Sequence, residues 1–178
     1  MNRMADSQSL KRPHFFNGRL LRAEDFALEQ QYHREKSKLH NRSLHGFGIV
    51  SGLKVTVSAG QIVVAPGLAL DCAGNELVVS EAQSIPVATI KVDCHTVFVN
   101  LRYVEENAGP VAAGTNETAF IAESFALDFT QENCNRDHRH LRARWLACGK
   151  PHALTIAKLK HSSQGWRVER GYRPPVIK

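Results

Sequence analysis

The sequence is poor in several things, and each shortage closes off a class of protein. It has no long apolar run: the longest nearly apolar stretch, Ile62 to Leu70, is interrupted by Pro66 and Gly67, so nothing reads as a membrane span. The opening residues MNRMADSQSLKRP lack the apolar segment of a secretory signal. Cytoplasmic synthesis is therefore expected. Cysteine is sparse, with Cys72, Cys94, Cys134 and Cys148 making four. Without a secretory context, thiols or a metal site are expected before a disulfide framework. No G-x-S-x-G elbow and no GxxxxGK[ST] or GxGxxG phosphate loop occurs. The adjacent Cys94 and His95 would point to opposite faces of a strand, which argues against their pairing as nucleophile and base. No enzyme can be assembled from sequence neighbours, and a non-enzymatic role is expected.

The remaining composition is that of a folded domain. Of 178 residues, 43% are hydrophobic and 22% charged, enough for an ordinary core without metal or disulfide. The net charge of +6 is unevenly placed. Residues 1–45 carry nine Lys/Arg against five Asp/Glu, residues 46–133 three against ten, and residues 134–178 eleven against two. Such blocks suit charge-complementary contact within an assembly or with an acidic partner.

Along the chain, residues 1–22 read as an extended arm ending near the turn signal Asn17-Gly18, and residues 23–45 as a helix. Glu24 and Asp25 stand where acidic groups suit a helix start, and Lys36 and Lys38 lie toward its end. Leu28, Tyr32, Glu35 and Leu39 form a narrow stripe, so one face should pack and the rest meet water or another chain. Gly46, Gly48 and Gly52 then break the helix.

From Gly52 the period becomes two. Leu53, Val55 and Val57 alternate with polar residues, and Gln61 to Ala65 returns as a hairpin partner. Leu68 to Leu70 and Glu76 to Val79 flank the turn-rich "DCAGN", where Asp71 is expected to cap a turn rather than bind calcium. Thr96 to Val104 and Phe120 to Phe129 are strand candidates around a polar loop at 105–118. Leu154 to Leu159 and Trp166 to Glu169 form a closing hairpin around "KHSSQG". The expected fold is mainly β, a sandwich or barrel-like body of short antiparallel strands over 46–178, with one N-terminal α-helix.

A basic insertion at 130–152 holds the sharpest chemical cluster: Cys134, His138, His140, Cys148 and His152, spaced C-x3-H-x-H-x7-C-x3-H. Four of these could close a tetrahedral, structural zinc site. The bland alternative is a basic loop coated with histidines. His33 and His40 share a helix face but stand about 10 Å apart in rise, too far for one ion. Arg136, Arg139, Arg142 and Arg144 attract phosphate in principle, with Trp145 and Tyr172 as stacking faces. No reader motif accompanies them, so nucleic acid is not the expected partner.

One pattern is specific in order and spacing. "FFNG" at Phe15, "LLRAEDF" at Leu20, "EQQY" at Glu29 and "HNRSLHGFGIVSGL" at His40 are followed by "PGLALDCAGNE" at Pro66. Over roughly residues 13–104 the chain resembles small proteins encoded with contractile injection systems and phage-tail-like particles. That resemblance implies a structural or adaptor component of a tail or baseplate assembly, with other subunits as partners and self-association open. On this reading Phe15, Phe16, Leu20, Leu21, Phe26 and Tyr32 dock into a groove on a neighbour. The alternative is a small zinc-stabilised binding protein with nucleic acid as its candidate ligand.

Overall fold

The computed structural model describes residues 10–90, 95–111, 113–114, 117–135 and 152–177. Among the described residues there is one α-helix, α1, spanning Ala23–His40. The Asp25 carboxylate accepts a hydrogen bond from the Arg22 N–H at 3.0 Å, satisfying an otherwise orphaned donor at the helix start. The helix runs on into a π turn, Asn41–His45, and stops at Gly46, whose φ of 79° an L side chain rarely adopts. There the His40 and His45 rings lie against each other, 5.4 Å between centroids.

Ten strands follow. A three-stranded sheet has the order β1-β4-β5, from Gly48–Gly52, Gly67–Leu70 and Glu76–Val79. A second has the order β2-β3-β6, from Val55–Ser58, Gln61–Val64 and Gln83–Pro86. The third is four-stranded, β10-β9-β7-β8, from Gly165–Val168, Leu154–Ser162, Thr96–Val111 and Thr118–Thr130. All pairings between these strands are antiparallel. The fold is thus mainly β with a single N-terminal α-helix, as the change of period at Gly52 predicts.

Alternation builds the core. Ile62 and Val64 on β3, Leu77 and Val79 on β5, and Val99 and Leu101 on β7 are fully or almost fully buried and meet Leu154 and Leu159 of β9. The hairpins β2–β3, β4–β5 and β9–β10 fall where the turn residues place them. Asp71 caps its turn: Oδ1 accepts from the Ala73 and Asn75 N–H groups at 2.9 and 2.8 Å, and Oδ2 from the Asn75 amide at 2.7 Å.

The structure corrects the expected loop at 105–118. Strand β7 continues to Val111 and β8 begins at Thr118, in register from Phe98↔Thr130 to Val111↔Thr118 with one irregularity between Ala108 and Val111. Strand β9 accompanies β7 only from Thr96 to Leu101. Beyond that point β7 and β8 pair with each other alone, forming a two-stranded ribbon. Tyr103 and Phe125 at its base still pack against the core, and beyond them small and polar residues are tolerated because the ladder supplies the order. Strands β1 and β6 also went unforeseen. The glycines of β1 mask a strand signal, and Pro86 demotes β6 by the ordinary rule that confines proline to edges, where β6 indeed lies.

Candidate docking surface

The described part of the arm, from Leu10, is tied to the helix start. The Phe16 carbonyl accepts from the Arg19 N–H at 3.1 Å across the Asn17-Gly18 turn, where Gly18 has φ 88°. The Arg19 guanidinium donates to the His14 carbonyl at 2.6 Å and to the Asp25 carboxylate, and sits 5.8 Å from the centre of the Phe15 ring. The Arg22 N–H, together with Arg19, holds the Asp25 carboxyl below the usual carboxylate range. Pro13 is buried. A polar clasp therefore fixes the turn that carries the aromatics.

What the clasp presents is apolar. Phe15, Phe16, Leu20, Leu21 and Phe26 are 48%, 63%, 75%, 44% and 56% exposed. The expected docking residues thus fall on one continuous piece of chain, with large side chains in water. Tyr32 differs: it is half-buried, with Lys36 over its ring at 5.5 Å and its hydroxyl accepting from Lys36 at 3.2 Å. The stripe expected to pack does so only partly. Tyr32 and Glu35 are half-buried, whereas Leu28 and Leu39 are exposed and no residue of α1 is fully buried.

The helix meets the body near its C-terminal end. The Asn41 amide donates to the Gly74 carbonyl at 3.0 Å, and Arg42 to the Ala73 carbonyl at 3.3 Å. Gly74 has φ 92°, and a Cβ there would stand 2.3 Å from the Lys38 carbonyl oxygen. This close approach requires glycine, and it seats α1 on the β4–β5 turn that Asp71 caps. Farther along, Arg34 pairs with Glu105 of the ribbon at 3.2 Å.

Sequence reading missed the exposed apolar residues of the ribbon, Val111, Phe120 and Ile121 at 57%, 66% and 63% exposure. Phe120 and Ile121 are adjacent, so they point to opposite faces of β8. Two large apolar neighbours in a strand with no core beside them are the signal that could have revealed this surface.

The metal pattern falls mostly outside the described residues: His138, His140 and Cys148 lie there. Cys134 and His152 are described. Among the described residues no three His, Cys, Asp or Glu side chains gather as a metal site would require. The base of the insertion is well anchored. The Cys134 N–H donates to Thr155 Oγ1 at 3.0 Å, and the Asn135 amide donates to the Thr155 carbonyl at 2.8 Å and to the Tyr172 hydroxyl at 2.9 Å. Burial pushes the Tyr172 phenol up. The arginines expected as a phosphate surface, Arg136, Arg139, Arg142 and Arg144, with Trp145, also lie outside the described residues.

A cavity of about 400 Å³ opens between β1–β2 and β9–β10, walled by residues such as Leu53, Val55, Ile156 and Val168. Glu169 at its margin is held by Lys158 and Lys160, each at 2.7 Å, which keep its carboxyl below the usual range. The C-terminal tail borders it too, with the Ile49 N–H donating to the Pro175 carbonyl and the Ile177 N–H to the Ile49 carbonyl, both at 2.9 Å. The cavity is thus framed by apolar strands and a tail that the body holds down.

In sequence the chain matches no protein-family model and no curated protein. In structure it is similar to chains of two type VI secretion assemblies. One is the TssK-TssF-TssG baseplate subcomplex solved by cryo-electron microscopy: TM-score 0.55, 13% identity, covering 93% of this chain and 62% of the other. The second is the type VI secretion baseplate complex: TM-score 0.52, 15% identity, covering 93% and 60%. The chain therefore spans less than two thirds of the length of these structural neighbours, and at such identity the likeness is one of fold.

Proposed function

We propose that this protein is a non-enzymatic structural or adaptor subunit of a contractile, phage-tail-like injection particle, docked through its N-terminal arm and helix. The observation that carries this reading is the arm itself. Five large apolar side chains from Phe15 to Phe26 stand in water, while Arg19, donating to the His14 carbonyl and the Asp25 carboxylate, ties the turn beside them to the helix start. Burying one such side chain contributes roughly 1.5–3 kcal/mol, and a preordered segment loses little entropy when it docks. An exposed apolar cluster of this kind marks an interaction site. The fold shared with chains of type VI secretion baseplates supports a place in such an assembly, as does the FFNG-to-LHGFGIVSGL pattern.

Fractionation of native host lysate on a sucrose gradient tests the assignment. The chain should comigrate with tubular particles, and deletion of residues 1–21 should shift it to the light fractions. Wild-type protein found only as a free small oligomer would overturn the particle reading.

A further inference from the structure

The β7–β8 ribbon is the second apolar feature without an assigned role, and its chemistry is the counterpart of the arm's. From Tyr103 to Thr130 the chain has five carboxylates (Glu105, Glu106, Glu117, Glu123 and Asp128) and no lysine or arginine. From Leu10 to Arg22 it has four cations (Lys11, Arg12, Arg19 and Arg22) and no carboxylate. Both segments also expose large apolar side chains, Phe15, Phe16 and Leu20 on the arm, Phe120 and Ile121 on the ribbon.

The backbones are complementary as well. Strand β8 is the outer strand of its sheet, so one row of its N–H and C=O groups faces outward. Outer strands are usually blunted by lysine, proline or brevity. Strand β8 has thirteen residues and neither lysine nor proline. The opposite edge of the ribbon, on β7, is interrupted by Gly109 and Pro110, and Pro110 lacks an N–H. Leu10–Phe16 of the arm belongs to no sheet of the described residues and has no helical turn; as an added edge strand it would turn Pro13, which lacks an N–H, away from β8.

We infer that the β8 edge of the ribbon receives the basic arm of a second copy of this chain. Main-chain pairing along residues 118–124 gives the arm its direction, as in other cases of strand addition. The carboxylates select a cationic segment, and Phe120 and Ile121 bury the arm's aromatics. The contact is head-to-tail, because arm and ribbon are different surfaces of one molecule. Copies would therefore close into a ring or extend as a row. This inference rests on the docking role proposed for the arm and names its acceptor.

Three full-length proteins test it: wild type carrying a photo-crosslinking phenylalanine analogue at position 16, Lys11→Glu/Arg12→Glu, and Glu106→Lys/Glu123→Lys. Wild type should self-associate, and its crosslinks should join position 16 of one copy to residues 104–123 of another. Either charge reversal alone should weaken self-association by about tenfold or more at moderate salt. An equimolar mixture of the two reversed proteins should associate again, which also shows that both are folded. A wild type that stays monomeric, with crosslinks only within one chain, overturns the inference. If particle incorporation then still requires residues 1–21, the arm docks on a different subunit and the proposed function stands. If incorporation is indifferent to the arm, both fall.

Discussion

Two buried residues, Asn100 and Gly74, connect sequence to architecture most tightly. Asn100 is fully buried on β7. Its amide donates to Asp128 Oδ1 at 3.0 Å and to Thr130 Oγ1 at 2.8 Å, and its carbonyl accepts from Thr155 Oγ1 at 2.7 Å. One side chain thus ties three strands, and through Thr155 the base of the insertion. Asn100→Ala would leave the buried Thr155 hydroxyl without its acceptor, at about 1–3 kcal/mol. The denaturation midpoint should fall with an unchanged slope. Gly74 is the second. Gly74→Ala demands a left-handed alanine and drives its Cβ into the Lys38 carbonyl. The expected cost is about 1–3 kcal/mol, and the end of α1 should exchange its amide protons faster while β9 stays protected. Glu169 adds a pH dependence. Lys158 and Lys160 hold its folded pKa below its unfolded value. The stability it contributes is therefore present above the unfolded carboxylate pKa and lost as pH falls through the folded one. Glu169→Gln should be less stable than wild type at neutral pH, and the two should converge in acid.

At the level of elements, alternation and turn chemistry made most hairpins legible, because inward-facing Val, Leu and Ile at period two leave a strand no other way to bury its side chains. Leu53, Val55 and Val57 announced β2, and "DCAGN" the β4–β5 turn. The helix was legible from Glu24, Asp25 and the basic residues at its end, but its stripe misled. Leu28 and Leu39 suggested a buried face, whereas the half-buried positions are Asp25, Glu29, Tyr32, Glu35 and Lys38. A stripe says which residues are apolar, not whether the same chain covers them. The ribbon was illegible for a related reason. Its order comes from cross-strand hydrogen bonds over residues 102–111 and 118–126, which composition does not record. For the candidate site, the order FFNG then LLRAEDF pointed to the arm, but the clasp needs Arg19 to reach both the His14 carbonyl and Asp25, a contact no spacing rule foretells. Because the Arg19–Asp25 pair is half-buried, Arg19→Ala should lower the melting temperature by only about 2–4 °C, yet weaken docking severalfold.

The whole molecule reads as a stable β body carrying two projecting devices, a basic apolar arm on a helix and an acidic apolar ribbon. The fully buried core residues, from Ile49 to Leu159, lie outside the arm and outside the far part of the ribbon, although Tyr103, Phe125, Leu127 and Phe129 pack against them. Function and stability should therefore separate cleanly on mutation. The most direct measurement is incorporation of Phe15→Ala/Phe16→Ala protein into purified particles, quantified beside its melting temperature. The double variant should keep a near-wild-type melting temperature and lose most of its incorporation. A folded double variant that enters particles at the wild-type level would contradict the docking role of the arm.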